Sequence, residues 1–193
     1  MFLSRRPSPN EIDRFLEASL DLPLSYGPPG IVRERQTGMP LDEQVVVIGH
    51  GRDDFERACA ALVAWKQSNI GWAEVFSRNA GVEVGTVVAV LIRHFGFWSL
   101  NGCRVVYHVG SPDNTRFGFA YGTLTNHAEC GEELFEVSID PQGDVSYRIR
   151  ATSRPRAALA WLGQPIVRAL QARFRRHSAA AMKRATSAET RRS

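Results

Sequence analysis

Between residues 73 and 152 the chain is cut by turn chemistry into six strand-length segments, and that succession limits the fold more than anything else in the sequence. The segments fall at 73–78, 86–98, 104–109, 116–124, 132–139 and 145–152, with "NAGVEVG", "SLNG", "GSPDN", "TNHAECG" and "DPQGD" between them. Gly, Pro, Asn and Asp supply positive φ, fixed φ or side-chain bonds to the backbone, which is why they punctuate strands. Spacers this short predict an antiparallel meander, and a sheet of that width curls around whatever covers it.

The last hairpin is the most closely specified. With Gly143 at positive φ in a loop at 141–143, Ile139 faces Val145, Val137 faces Tyr147 and Phe135 faces Ile149. The other face pairs Glu136 with Arg148, an ion pair expected to be exposed and worth at most about 1 kcal/mol. One apolar and one wet face fit a half-buried sheet. Along 116–124, Phe117, Phe119 and Tyr121 share one face, and Gly118, Ala120 and Gly122 share the other. Small residues at alternate positions let another element or a ligand approach the backbone closely. Either a helix packs tightly there, or the strand lines a pocket whose apolar wall carries the hydroxyls of Tyr107, Tyr121 and Tyr147.

Helical patterns flank the strands. In "SPNEIDRFLEASL" Ser8 is the expected N-cap, Pro9 suits the first turn, Glu11 completes a capping box, and Ile12, Phe15, Leu16 and Leu20 form a stripe. The turn cluster "SYGPPG" at 25–30 leads to a short strand at 43–51. A helix at 53–67 follows, capped by Asp53 or Asp54, with Phe55, Ala58, Cys59, Leu62 and Trp65 or Val63 on one side. From Pro155 the period is helical again. Ser153 is the expected cap, and Ala158, Leu159, Leu162, Ile166, Leu170, Phe174, His177, Ala181 and Met182 run along one stripe. Pro165, after Gly163, is expected to kink or split that helix.

A chain of 193 residues, 44% hydrophobic and 23% charged, suits one domain with a helical appendage. The expected division is an N-terminal helix and turn-rich linker at 1–30, a single domain at 31–186 and a frayed tail at 187–193. No segment reads as a signal peptide, and the longest apolar stretch, 86–100, is interrupted by Arg93 and His94. Three cysteines without metal-site spacing read as reduced, buried thiols of a cytoplasmic protein. Charge is unevenly placed: residues 1–144 hold 12 Lys/Arg against 19 Asp/Glu, and residues 145–193 hold 12 against Glu189 alone. The basic end either contacts nucleic acid or anionic membrane or lies as a helix against the acidic body.

Chemical candidates gather at "NHAECGEE". His127-Ala128-Glu129 has the H-x-E form that opens zinc deaminase signatures, but that chemistry needs a later Cys-x-x-Cys, and none exists here. Cys130 as nucleophile would draw on His127, yet the flanking acids disfavour a thiolate. "GHGRDD" lacks the glycine spacing of a dinucleotide turn, and Asp53 and Asp54 would repel a pyrophosphate there. The sequence implies no metal and no cofactor. "RFRRHSAAAMKRA" is basic but offers no stacking platform beyond Phe174, a weak nucleic-acid signal.

Strand, helix, six antiparallel strands and a long amphipathic helix resemble, in that order, the helix-grip fold of the lipid-transfer and pollen-allergen superfamily. That likeness implies an α+β fold, a curved antiparallel sheet of about six or seven strands on a C-terminal helix with a cavity between. A more specific resemblance rests on "LSYGPPG", "FERACAALVAW", "CRVVYHV", "RFGFAYGTLTNHAECGEELFEV" and "YRIRATSRP". Over residues 24–182 these are similar to the uncharacterised bacterial and plant family known as domain of unknown function 1990, or uncharacterised protein family 0548. Its usual pattern has Pro-Gly before the histidine and Pro-Glu-Ser after it. The run from Thr125 to Cys130 departs from that, implying a differently shaped turn. The family brings no established activity.

The expected function is therefore the binding of a small apolar or amphipathic ligand between sheet and C-terminal helix. Phe119, Tyr121, Phe135, Tyr147, Trp161 and Leu162 are the expected lining, with His127 and Glu129 at a mouth. One alternative is an enzyme on the same scaffold, with His127 as acid/base and Glu129 or Glu133 orienting it. The other is a basic interaction protein acting through its C-terminal helix.

Overall fold

In the computed structural model, which describes residues 1–33, 41–79, 81–155 and 164–187, the strand segments join into one antiparallel sheet. In chain order the elements are β1 (Phe2–Leu3), α1 (Pro9–Ser19), β2 (Leu41–His50), α2 (Arg52–Val63), a 3-10 turn (Lys66–Ser68), β3 (Ala73–Ser77), β4 (Val87–His94), β5 (Phe97–Ser111), β6 (Arg116–Thr123), β7 (Glu129–Ile139), β8 (Asp144–Pro155) and α3 (Gln164–Ser187). The strands lie in the order β2-β8-β7-β6-β5-β4-β3, with β1 paired to the start of β5. The meander from β3 to β8 is thus closed at its far edge by β2. Both α2 and α3 pack on one face, here called the inner face, and the result is a helix-grip α+β fold.

Local chemistry accounts for most boundaries. Ser8 caps α1 with the full capping box to Glu11, and Pro9 sits at its start. The β7–β8 register pairs Ile139 with Val145, Val137 with Tyr147 and Phe135 with Ile149, and Gly143 turns at φ 91° as the loop requires. Three boundaries differ from expectation. The segment read as 86–98 is broken at Phe95 and Gly96, whose φ values of 49° and 82° make a two-residue hairpin loop, and β5 begins at Phe97. An aromatic residue in the left-handed region gives no turn signal in a sequence. At α2 the cap is Gly51, and Asp54 folds back to accept the His50 N–H at 2.7 Å. Ser153 and Pro155 belong to β8 and do not start a helix. Residues 156–163, where the break near Gly163 and the apolar positions Ala158, Leu159, Trp161 and Leu162 were expected, lie outside the described residues.

The inner face carries the main core. Phe55, Ala58, Cys59 and Leu62 of α2 and Met182 of α3 meet Phe117, Phe119, Phe135, Val137, Tyr147 and Ile149 of the sheet. The outer face is not wet along the central strands. Ile12 and Leu16 of α1 cover Ala89, Leu91, Leu100 and Leu124, and Val32 packs on Ala120 and Leu134. Leu20, expected on the α1 stripe, is 45% exposed. The small face of β6 thus receives an irregular segment and not a helix: a Cβ on Gly122 would fall on the Tyr26 hydroxyl.

One buried carboxylate ties that segment down. Glu132, 2% exposed, accepts the Tyr26 hydroxyl (2.8 Å) and the Gly30 N–H (2.9 Å) on Oε2. On Oε1 it accepts the Tyr107 hydroxyl (2.7 Å) and the Val32 N–H (3.3 Å). A bulge in β5 between Val105 and Tyr107 makes this possible. Val105 pairs with Tyr121 on the inner face, whereas Tyr107 pairs with Ala120 and so points outward. Tyr107 therefore does not share a wall with Tyr121 and Tyr147.

The charge asymmetry is partly resolved within the fold. Arg175 of α3 pairs with Asp42 (3.2 Å), and Arg148 and Arg150 reach Glu43 at 3.4 and 2.8 Å. Glu136 does meet Arg148 across the hairpin, but not as an exposed pair: it is 2% exposed and also holds Arg116. Among the described residues no helix is long and apolar enough to cross a membrane.

The Glu132 bonds yield a stability test. Tyr26→Phe removes one donor from a buried carboxylate and should cost about 1–2 kcal/mol in urea unfolding. Glu132→Ala strands all four donors and should cost at least about 3 kcal/mol. Equal, small losses for both would show that the carboxylate does not anchor the segment.

Candidate functional site

Strand alternation decides what β7 shows to each side. Glu129, Gly131 and Glu133 turn inward, while Cys130 and Glu132 turn outward, where the Cys130 thiol donates to the Ser25 carbonyl (3.0 Å). Toward the Glu129 end of the strand the inner face is not filled. There a cavity of about 370 Å³ lies between the sheet and α3. Trp72, Val90 and Ile92 form its apolar side, with Leu170 and Phe174 reaching in from α3. Its polar side holds His127, Glu129, Glu133, Ser153, Gln171 and Arg175.

Trp72 is held by three side chains of α3. Its indole N–H donates to His177 Nδ1 (3.3 Å), the Phe174 ring meets it edge-on at 6.3 Å, and the Arg173 guanidinium lies 4.9 Å from its ring centroid. Glu129 is met by Ser153 Oγ (2.9 Å) and by Gln171 Nε2 (3.3 and 3.2 Å to its two oxygens). Burial raises the pKa of Glu129 despite those bonds. Glu133 accepts the Tyr121 hydroxyl on Oε2 at 2.6 Å. Burial pushes its carboxyl up to about 7, with the Glu129 charge adding to the rise and Tyr121 and Arg175 opposing it. Tyr121 is in turn pushed well above the usual phenol range, first by burial and then by the Glu133 charge. His94, at the other side of the cavity, is lowered by burial, and its Nε2 has no hydrogen-bond partner among the described residues.

Of the positions expected to bear function, the structure brings Tyr121, His127, Glu129 and Glu133 to this one cavity. Phe119, Phe135 and Tyr147 are instead packed in the closed core, each at most 1% exposed, and the Tyr147 hydroxyl is bonded to Ser178 (2.8 Å). Trp161 and Leu162 lie outside the described residues. His127 is engaged by the main chain of its neighbour on one ring nitrogen. Its Nδ1 accepts the main-chain N–H of Glu129 (2.9 Å), so the neutral ring carries its proton on Nε2. All three cysteines are free and buried, and burial pushes the Cys59 thiol up to about 12.

Sequence reasoning missed Trp72, Ser153, Gln171 and Arg175. Gln171 and Arg175 are four apart beside Leu170 and Phe174, a polar edge along the apolar stripe, and that spacing was a usable signal. Ser153 was hidden by its reading as a helix cap.

The family described as "Domain of unknown function (DUF1990)" matches residues 28–181. A UPF0548 protein of Deinococcus radiodurans is 34% identical over 206 residues, covering 96% of this chain and 98% of that one. A UPF0548 protein of Dictyostelium discoideum is 30% identical over 195 residues, covering 90% of each. Among solved structures, the Zhui aromatase/cyclase from Streptomyces sp. R1128 is similar, with a TM-score of 0.57 at 14% identity over 80% of this chain and 97% of that one. Identity that low makes this a likeness of fold alone.

Glu133 should write itself into the pH dependence of stability. Its carboxyl keeps a proton up to about 7 when folded and only to its ordinary 4.5 when unfolded, so the folded state binds more protons between those values. The stability this gives is complete below pH 4.5 and is lost as pH rises through about 7. Glu133→Gln has no such loss. Its stability relative to the parent should therefore grow between pH 5 and pH 8 by on the order of 2–3 kcal/mol, read from urea midpoints. A difference that does not change with pH would place the proton elsewhere.

Proposed function

We propose that this chain, which belongs to the family described as "Domain of unknown function (DUF1990)", binds a small apolar or amphipathic molecule in the cavity between its sheet and α3. The cavity itself carries the proposal. About 370 Å³ bounded by Trp72, Val90, Ile92, Leu170 and Phe174 falls in the range of small-molecule sites, roughly 300–1,000 Å³. Interiors otherwise pack as densely as organic crystals, so a space of this size needs an occupant or a cost to explain it. Tyr121, His127, Glu129 and Glu133 form the polar end of the site, and Phe119, Phe135 and Tyr147 stiffen the wall behind it. In this reading residues 31–186 are the binding domain, residues 1–30 brace its outer face, and three buried free thiols fit a reducing, cytoplasmic setting. The fold likeness to an aromatase/cyclase is in keeping with a cavity that takes up organic molecules.

One observation favours a second reading, an enzyme on the same scaffold. Glu133 holds its proton near neutrality beside the Tyr121 hydroxyl, inside the cavity. On that reading Glu133 is the group that gives and takes the proton.

Native mass spectrometry of protein purified from its own host, followed by solvent extraction, tests the binding proposal. A small molecule should accompany the parent and be absent from Ala151→Phe, whose added ring fills the cavity while circular dichroism stays unchanged. A parent that carries nothing, and that takes up an added apolar fluorophore no better than Ala151→Phe does, would end the proposal.

A further inference from the structure

Two neighbouring carboxylates on β7 meet opposite fates. Glu132, on the outer face, collects four donors. Glu133, on the inner face, takes one, the Tyr121 hydroxyl on Oε2, and among the described residues its Oε1 has no donor at all. It lines the cavity, and a carboxylate removed from bulk water with one oxygen unserved is costly unless something in that space serves it.

Several donors of the wall are already engaged elsewhere. Gln171 Nε2 and Ser153 Oγ are spent on Glu129, and the Asn101 amide is bonded to Val90, Ser99 and Ala128. The cation on the wall, Arg175, leans to Asp42 at 3.2 Å. The ionisable groups facing the cavity are thus Glu129, Glu133, His94, His127 and Arg175, the last already shared with Asp42. Two carboxyls against one shared guanidinium disfavour an anion, and beside them Trp72, Ile92 and Phe174 offer an apolar surface that includes two aromatic rings.

We propose, building on the cavity reading above, that the ligand is an amine: an apolar or aromatic body with an ammonium group that sits against Glu133 Oε1, the body lying along Trp72, Ile92 and Phe174. The ammonium supplies the missing donor and the missing charge together. Anionic amphiphiles are disfavoured by the same carboxylates, so the site selects by charge within a set of molecules of equal shape.

Three probes of one shape separate this from simple apolar binding: 2-(1-naphthyl)ethylamine, 2-(1-naphthyl)ethanol and 1-naphthylacetate, titrated calorimetrically at pH 8. The amine should bind about tenfold or more tightly than the alcohol, as expected for a hydrogen bond to a charged group, and the acetate weakest. In Glu133→Gln the preference of amine over alcohol should disappear while alcohol binding persists. Comparison on the parent protein alone needs no variant to fold. If alcohol or acetate binds the parent as well as the amine, or if the amine preference survives in Glu133→Gln, the amine proposal is overturned and the cavity reading stands. If none of the three binds, the cavity reading falls with it.

Discussion

A carboxylate taken out of water must be given donors, and this fold is organised around where β7 finds them. Glu132 gathers two tyrosine hydroxyls and two main-chain amides, and in doing so fixes the segment from Tyr26 to Val32 to the outer face of the sheet. That segment covers the small residues of β6, which lets the central strands be buried on both sides. With the outer face sealed, the inner face is free to be incompletely filled. Glu133, one residue along the same strand, meets the Tyr121 hydroxyl on one oxygen and the cavity on the other side.

The inner face shows a trade between packing and binding. Where α2 meets the sheet, Phe55, Leu62, Phe119 and Phe135 interlock and leave nothing open. Farther along, α3 supplies Gln171 and Arg175 beside Leu170 and Phe174, and the space between sheet and α3 persists. An empty cavity forfeits dispersion contacts, and an unserved carboxylate adds its own cost. Both penalties fall in the same place, so one occupant with an apolar body and a donor group relieves both.

The sequence disclosed the fold to the extent that each step was local. The capping box at Ser8, the loop at Gly143 and the pairing of β7 with β8 follow from chemistry within a few residues, and all three form as expected. The turn at Phe95 and Gly96 was hidden because one residue there does not look like a turn former. The β5 bulge was hidden because it shifts the inside–outside alternation without altering the composition of the strand, and so Tyr107 was placed on the wrong face. The candidate site was half legible: His127, Glu129, Glu133 and Tyr121 were found by residue type. Phe119, Phe135 and Tyr147 were marked as lining because aromatic character alone does not tell a pocket wall from the core behind it. Trp72 and Gln171 were missed because their place depends on how the helix lies across the sheet, a long-range fact.

The bonds to Glu132 also impose an order in time. Tyr26 and Glu132 are 106 positions apart, and Gly122, against which Tyr26 is seated, comes almost as late in the chain. During synthesis the bracing segment leaves the ribosome early, with nothing to brace. It waits until β5, β6 and β7 have emerged and paired, and only then can its hydroxyl and amides find their acceptor. Contacts of such long sequence separation are entropically late, so the part of the protein made first is among the last to be secured.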